Sequence, residues 1–192
     1  SVLVDPDKFS SGVIREADKA RVDFIFIGGS RIRKEKFHQC VNAIRKLTDI
    51  PLVIFPGNSE QISEKADAIL LLSLISGRNP DYLIGEHIRA AKQLKRSKLE
   101  IIPTGYILIG GGKKISTQAI TRTSPIKSSD KNLAVYTAVA GELLGMKMIY
   151  LEAGSGAKNP LSASEVKEVR KNISSPIIAG GGIDSSEKAI TL

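Results

Sequence analysis

Seven short apolar runs, rich in β-branched residues, alternate with amphipathic segments along almost the whole sequence. Strands are expected at Val2 to Val4, Phe24 to Ile27, Leu52 to Phe55, Ala68 to Leu72, Glu100 to Ile102, Met148 to Leu151 and Pro176 to Ala179. Helices are expected from Ser10 to Lys19, Lys34 to Leu47, Tyr82 to Leu94, Leu133 to Leu144 and Ala163 to Lys171, the last with only a weak cap signal from Ser164 and Lys167. Strands that are apolar throughout are buried on both faces, which requires a parallel sheet covered by helices. Such alternation suits a (β/α)8 barrel or an open doubly wound sheet. The polar residues follow successive strands instead of gathering at one switch point, which favours the TIM-type barrel, where sites collect at the C-terminal strand ends. Between strands three and four, near Gln61 to Lys65, the connection is too short for a helix. After strand seven a helix begins at Ser185 and no eighth strand follows, so a single barrel domain over residues 1–192, incomplete at its C-terminal end, is the expectation.

At 192 residues and 42% hydrophobic composition the chain can bury one substantial core. Its single cysteine, Cys40, cannot form an intramolecular disulfide, and with only His38 and His87 beside it no zinc ligand set follows from spacing. The longest apolar stretch, Ala68 to Ile75, is far short of a membrane span, and a cytoplasmic location is expected. The net charge of +8 implies affinity for anions. The basic groups do not interleave aromatic residues as a base-stacking surface does, so nucleic acid is not an expected partner.

Two strand ends carry the features of a phosphate seat. Tyr150-Leu151-Glu152-Ala153-Gly154-Ser155-Gly156 takes an apolar strand through an acid into small residues, and Ile178-Ala179-Gly180-Gly181-Gly182-Ile183 repeats the pattern. Glycines reach positive φ, and successive N–H groups at such bends form a positively polarised concavity. Glu152 stands where a base is needed to activate a hydroxyl; the competing reading is a glutamate that holds its loop by hydrogen bonds. Tyr150 either bonds a phosphate oxygen or fills the interior. At the end of strand one, Asp5-Pro6-Asp7-Lys8 offers carboxylates to a hard cation or makes an Asp-Pro turn, and Ser30, in Gly28-Gly29-Ser30, supplies a second oxygen or caps the next segment. Ser76-Gly77-Arg78-Asn79-Pro80 and Pro103-Thr104-Gly105-Tyr106 read as polar loops, with Arg78 either gripping a diphosphate or pairing at the surface. Gly110-Gly111-Gly112-Lys113-Lys114 lacks the Walker ending and reads as a turn.

In that order, Asp5-Pro6-Asp7-Lys8, Gly28-Gly29-Ser30, Pro103-Thr104-Gly105-Tyr106, Tyr150 to Gly156 and Gly180-Gly181-Gly182-Ile183 resemble the geranylgeranylglyceryl phosphate synthase and heptaprenylglyceryl phosphate synthase family. The resemblance covers nearly the whole chain, and the YLEAGSG stretch is its specific part. It implies a barrel with a reduced third helix and a Mg2+-dependent prenyltransferase. Such an enzyme joins a long-chain prenyl diphosphate, geranylgeranyl or longer, to the C3 hydroxyl of sn-glycerol 1-phosphate, the first ether bond of archaeal-type lipid synthesis. By motif, Asp5 and Ser30 are the metal positions. Tyr150, Leu151, Glu152, Ala153, Gly154, Ser155, Gly156, Gly181 and Gly182 form the glycerol-phosphate site. Glu152 is the expected base, the phosphate is held by N–H groups of Gly154, Gly156 and Gly182, and the prenyl tail runs along residues around Tyr82 to Ile88 and Tyr106 to Ile109. Some members have a lysine two positions before the strand-one aspartate; this chain has Leu3. A homo-oligomer with transient membrane-surface contact is expected. The alternative is another phosphate-binding TIM-barrel enzyme acting on a different phosphorylated small molecule.

Overall fold

The structure is a computed structural model and describes residues 1–29, 32–110, 116–154, 157 and 159–192. Its contacts divide the chain into two compact units, Ser1–Leu71 with Glu86–Ile102, and Leu72–Gly85 with Pro103–Leu192. The strands β4 (Ala68–Leu74) and β5 (Glu100–Leu108) each contribute residues to both.

In the first unit β1 (Val2–Val4), β2 (Ile25–Ile27), β3 (Leu52–Ile54) and the start of β4 pair in parallel, in chain order. Every residue of β2 and β3 is buried, as strands covered on both faces must be. Helix α1 (Ser11–Lys19) turns Ile14 and Ala17 inward, and α2 (Lys34–Arg45) turns Phe37, Cys40, Val41 and Ile44 inward, the i, i+3, i+4, i+7 spacing of one helical face. With Ala90 and Leu94 of α3 (Glu86–Arg96) these close one core around Ile25, Ile27, Leu52 and Ile54.

No helix forms between β3 and β4, as expected. Side chains satisfy that connection's backbone instead. Gln61 Oε1 accepts from the Gly57 N–H at 3.0 Å, Glu86 Oε2 from the Ser59 N–H at 2.6 Å, and Asn58 Oδ1 from the Glu60 N–H at 2.9 Å. Arg45 adds a clamp, donating to the Lys65 carbonyl at 2.7 Å and pairing with Asp67, whose carboxylate accepts the Leu52 N–H.

In the second unit β5, β6 (Met148–Glu152) and β7 (Ile177–Gly180) pair in parallel, with Tyr106 opposite Tyr150 and Glu152 opposite Gly180. Helices α4 (Ser116–Thr121), α5 (Lys131–Leu143), α6 (Ala163–Asn172) and α7 (Ser186–Ile190) complete it. Ile107, Ile109, Ile149 and Leu151 pack with Val135, Ala138 and Val169 in its core.

Three local expectations change. Pro103-Thr104-Gly105-Tyr106 is strand, not loop: Thr104, Gly105 and Tyr106 pair with Met148, Ile149 and Tyr150. The Pro and Gly that suggest a turn mark a close approach, because a Cβ on Gly105 would lie 2.8 Å from Ile75 Cδ1 and 2.9 Å from Ile149 Cδ1. The helix expected from Tyr82 is divided into a π-helical turn, Asp81–Gly85, and α3. The cap of α6 is Ser162, not Ser164. Its hydroxyl accepts the Glu165 N–H while Glu165 accepts the Ser162 N–H, a reciprocal capping box. Replacing Ser162 with Ala leaves the Glu165 N–H without its acceptor and is expected to cost about 1 kcal/mol, read by urea denaturation; no change in midpoint would show that solvent replaces the cap.

Candidate functional site

The acid at the end of β6 is buried among short, tightly bent backbone. Strand alternation puts Tyr150 and Glu152 on one face of β6, and Ile149 and Leu151 on the other. Leu151 is fully buried within the core cluster, so its side chain serves packing and only its backbone can reach a ligand. Glu152 is 7% exposed. Burial pushes its carboxyl from the ordinary 4.5 up to about 7, against the opposing effects of hydrogen bonds from the Gly154 N–H and the Tyr106 hydroxyl. The Gly154 bond is short, 2.6 Å to Oε1. Burial, and then the charge of Glu152, raise the Tyr106 phenol well above its usual range, which keeps it a donor.

The loops after β6 and β7 meet at this carboxylate. Gly154, Gly181 and Gly182 have φ of 105°, 87° and 72°. A Cβ on Gly181 would stand 2.5 Å from Glu152 Oε1 and 2.6 Å from the Gly154 nitrogen; on Gly182 it would stand 2.8 Å from the Ala157 carbonyl. Only glycine fits both the dihedral and the space. The Ala153 N–H donates to the Gly180 carbonyl at 2.9 Å. The Tyr150 ring lies 5.5 Å from that of Tyr106, and its hydroxyl occupies the place a Cβ on Gly180 would take. Tyr150, Glu152, Ala153, Gly154, Gly181 and Gly182 therefore come together as expected, while Ser155 and Gly156 lie outside the described residues. The Gly154 N–H, expected to hold phosphate, donates here to Glu152.

In the first unit Asp5 caps the 3-10 turn Pro6–Lys8, accepting the Asp7 N–H at 2.9 Å through Oδ1. The carboxylate lies beside the loop after β2: a Cβ on Gly29 would stand 3.6 Å from Asp5 Oδ1, and one on Gly28 would collide with the Phe55 carbonyl. Asp7 instead pairs with Lys36 at 2.6 Å, both half exposed. Cys40, buried in α2, feels the same neighbourhood, its thiol pushed up to about 11 by burial and then by the charge of Asp5. Ser30, the second expected metal position, lies outside the described residues.

No group of three or more His, Cys, Asp or Glu gathers among the described residues, which excludes a closed, all-carboxylate cage there. A single strand-end carboxylate does fit Mg2+, which takes one or two protein oxygens and fills its octahedron with water and substrate phosphates.

The Arg78 guanidinium donates to the Gly77 carbonyl at 2.6 Å. Gly110 is the one described residue of the Gly110 to Lys114 turn. Ile107 and Ile109, expected beside a prenyl tail, are core residues. Sequence reasoning placed Tyr106 beside the prenyl tail and not as the partner of Glu152, and it missed the role of Gln61. Tyr106 was hidden in a stretch read as loop. Gln61, fully buried, donates to the Gly29 carbonyl at 2.9 Å while accepting the Gly57 N–H, and so ties the loops after β2 and β3 together. A polar residue in the polar run Asn58 to Lys65 carries no signal of burial.

The family model of the PcrB family matches residues 2–192. A relative from Chitinophaga pinensis, named geranylgeranylglyceryl phosphate synthase, is 47% identical over 98% of this chain and 77% of its own length. One of the same name from Methanosphaera stadtmanae is 37% identical over 98% of this chain and 78% of its own. Among solved structures, (S)-3-O-geranylgeranylglyceryl phosphate synthase from Thermoplasma acidophilum, in complex with substrate sn-glycerol-1-phosphate, superposes with a TM-score of 0.92 at 33% identity, covering all of this chain and 78% of that one. The wild-type GGGPS from Thermoplasma volcanium gives the same TM-score at 34% identity, covering 99% of this chain and 78% of that one. The TIM-type α/β class and the prenyltransferase class expected above both hold. By a family match along almost its entire length and by these relatives, the chain belongs to the PcrB family.

Proposed function

We propose that this chain transfers the prenyl group of a long-chain prenyl diphosphate, geranylgeranyl or longer, to the C3 hydroxyl of sn-glycerol 1-phosphate. The observation that carries the reading is the buried carboxylate of Glu152, held near neutral proton affinity against two positive-φ glycine bends. The names of the relatives and the glycerol phosphate bound in the Thermoplasma acidophilum enzyme support it. A cytoplasmic enzyme with transient membrane-surface contact suits a greasy donor and a water-soluble acceptor.

Backbone N–H groups at the Gly181-Gly182 bend, with Gly156, hold the phosphate without a cationic side chain. The acceptor's C3 oxygen attacks C1 of the prenyl group as the allylic C1–O bond breaks, and the diphosphate leaves with that electron pair. The hydroxyl proton passes to Glu152, which begins the step ionised and ends it protonated; a base poised near the working pH balances both states. Tyr106 keeps the carboxylate oriented through its hydroxyl. Asp5, with Ser30, would hold Mg2+, whose chemistry when bound is to neutralise charge on the diphosphate.

Incubation with a ladder of prenyl diphosphates and sn-glycerol 1-phosphate is expected to yield prenylglyceryl phosphates by mass, with Mg2+ required. A product from another phosphorylated acceptor alone would favour the alternative barrel enzyme. Glu152→Gln is expected to lower single-turnover rates on the order of 10²-fold or more while leaving acceptor binding by calorimetry within a few-fold; a fully active variant would remove Glu152 as base.

Proton affinity also fixes the sign of two pH effects. The chemical step needs the ionised form, so its rate should rise with pH through about 7. Stability should run the other way. A carboxyl whose folded value is raised favours the folded state below the unfolded value of 4.5, and that favour is lost as pH climbs through about 7. The gap corresponds to up to about 3 kcal/mol. Glu152→Gln, lacking the titration, should therefore be more stable than wild type at pH 8 and close to it at pH 5, measured by denaturant unfolding; the reverse ordering would contradict a buried, raised carboxyl.

Asp5→Asn is expected to weaken Mg2+-dependent use of the prenyl diphosphate at least tenfold in kcat/KM, an estimate for one lost charged ligand, with little change in acceptor affinity. Equal losses for both substrates would argue against a metal role.

A further inference from the structure

Gln61 stands in the connection between β3 and β4, fully buried, with Ile62 and Ser63 buried beside it. A buried amide costs free energy unless both of its ends are bonded, and a methionine or leucine would fill the same space without that cost. Here both ends are bonded, to backbone in two different loops: Nε2 donates to the Gly29 carbonyl at 2.9 Å, and Oε1 accepts the Gly57 N–H at 3.0 Å. We infer, resting on the metal role proposed for Asp5, that Gln61 is a positioning residue for that site: its amide holds the loop after β2 against the Asp5 carboxylate, so that Mg2+ meets a place already formed.

The direction of the amide is set by its partners. An N–H can only donate and a carbonyl can only accept, so Oε1 must face Gly57 and Nε2 must face Gly29. The bond to Gly57, within the same loop, aims the side chain, and the bond to Gly29 crosses to the other loop. The aiming loop is itself fixed. The Gln61 N–H donates to the Asn58 carbonyl at 3.3 Å, and the Ser59 N–H donates to Glu86 of α3 at 2.6 Å.

What the amide holds lies beside Asp5. At the end of β2 the Gly28 N–H donates to the Val4 carbonyl at 3.2 Å and the Phe55 N–H to the Ile27 carbonyl at 2.8 Å, and Gly29 lies beyond both bonds. Neither glycine has a side chain with which to pack: a Cβ on Gly28 would run into the Phe55 carbonyl, and one on Gly29 would stand 2.7 Å from Ile32 Cδ1 and 3.6 Å from Asp5 Oδ1. Backbone so bare is held through its peptide groups, and Gln61 supplies one such bond at Gly29. Mg2+ demands near-ideal octahedral geometry at about 2.1 Å, so a neighbouring loop not already in place must be ordered when the ion binds, and that ordering is subtracted from affinity.

Calorimetric titration with pyrophosphate in the presence of Mg2+ reads the site without turnover. Gln61→Met, which keeps the bulk and removes both bonds, is expected to raise the Mg2+ concentration for half-saturation about tenfold or more, as for other partners that orient a metal site, with sn-glycerol 1-phosphate affinity within a few-fold. In prenyl transfer the same variant should recover most of the wild-type kcat at saturating Mg2+, a rescue that general loss of structure would not show. By reciprocity the metal complex should tighten the loop that Gln61 serves, so Mg2+ with pyrophosphate should slow amide hydrogen exchange from Phe55 to Gln61 in the wild-type protein, a readout that needs no variant. Asp5→Asn separates the two roles. Unchanged Mg2+ dependence in Gln61→Met beside a weakened one in Asp5→Asn overturns the role of Gln61 and leaves Asp5 its metal. Equal losses for pyrophosphate and sn-glycerol 1-phosphate in Gln61→Met, or wild-type exchange unmoved by the metal complex, overturn it as well. A wild-type protein that binds no pyrophosphate with Mg2+ overturns both roles together.

Discussion

The hydrogen bond from the Gly154 N–H to the Glu152 carboxylate organises the end of β6. A carboxylate at 7% exposure keeps its charge only if donors aim at it, and the backbone supplies the nearest. Taking that N–H bends the chain to φ 105° at Gly154, brings the next loop against the acid, and removes any room for a side chain at Gly181. Burial and the two donors then act in opposite directions on the same carboxyl. The balance leaves it near neutrality instead of at either extreme. Loop holding and the proton acceptance proposed for Glu152 look like competing explanations of a strand-end glutamate, yet a single oxygen pair can serve both.

Asp5 ends another strand in a different environment. It is partly exposed and caps a short turn with one oxygen. In the proposed reaction a carboxylate so placed shares a cation with the phosphorylated donor, whereas Glu152 takes the proton. Two acids of one chemical kind are separated in role by the water each retains.

Much of this was legible in the sequence because parallel, doubly covered strands leave a strong apolar signature: β1, β3, β6 and β7 lie within a residue or two of their expected positions. The same signature failed at Pro103 to Tyr106, where residues that punctuate turns lie inside β5 to admit neighbouring side chains. The glycine bends after β6 and β7 were readable because positive φ has so few residues that tolerate it. Tyr106 was not readable as the partner of Glu152, since their meeting depends on the register between β5 and β6. The fate of the Gly154 N–H was also invisible, because a donor's direction is a property of the folded bend.

Gln61 illustrates a different kind of dependence. Its one side-chain amide reads two main chains at once, giving to Gly29 and taking from Gly57, in full burial. Neither contact consults the identity of a side chain; both consult length. A residue inserted on either side would displace one carbonyl or one N–H from an amide that has no second partner of the same reach. The two loops are therefore bound to a common count of residues, and divergence among relatives at this end of the first unit should proceed by exchange of side chains, with gaps confined to the opposite ends of the strands.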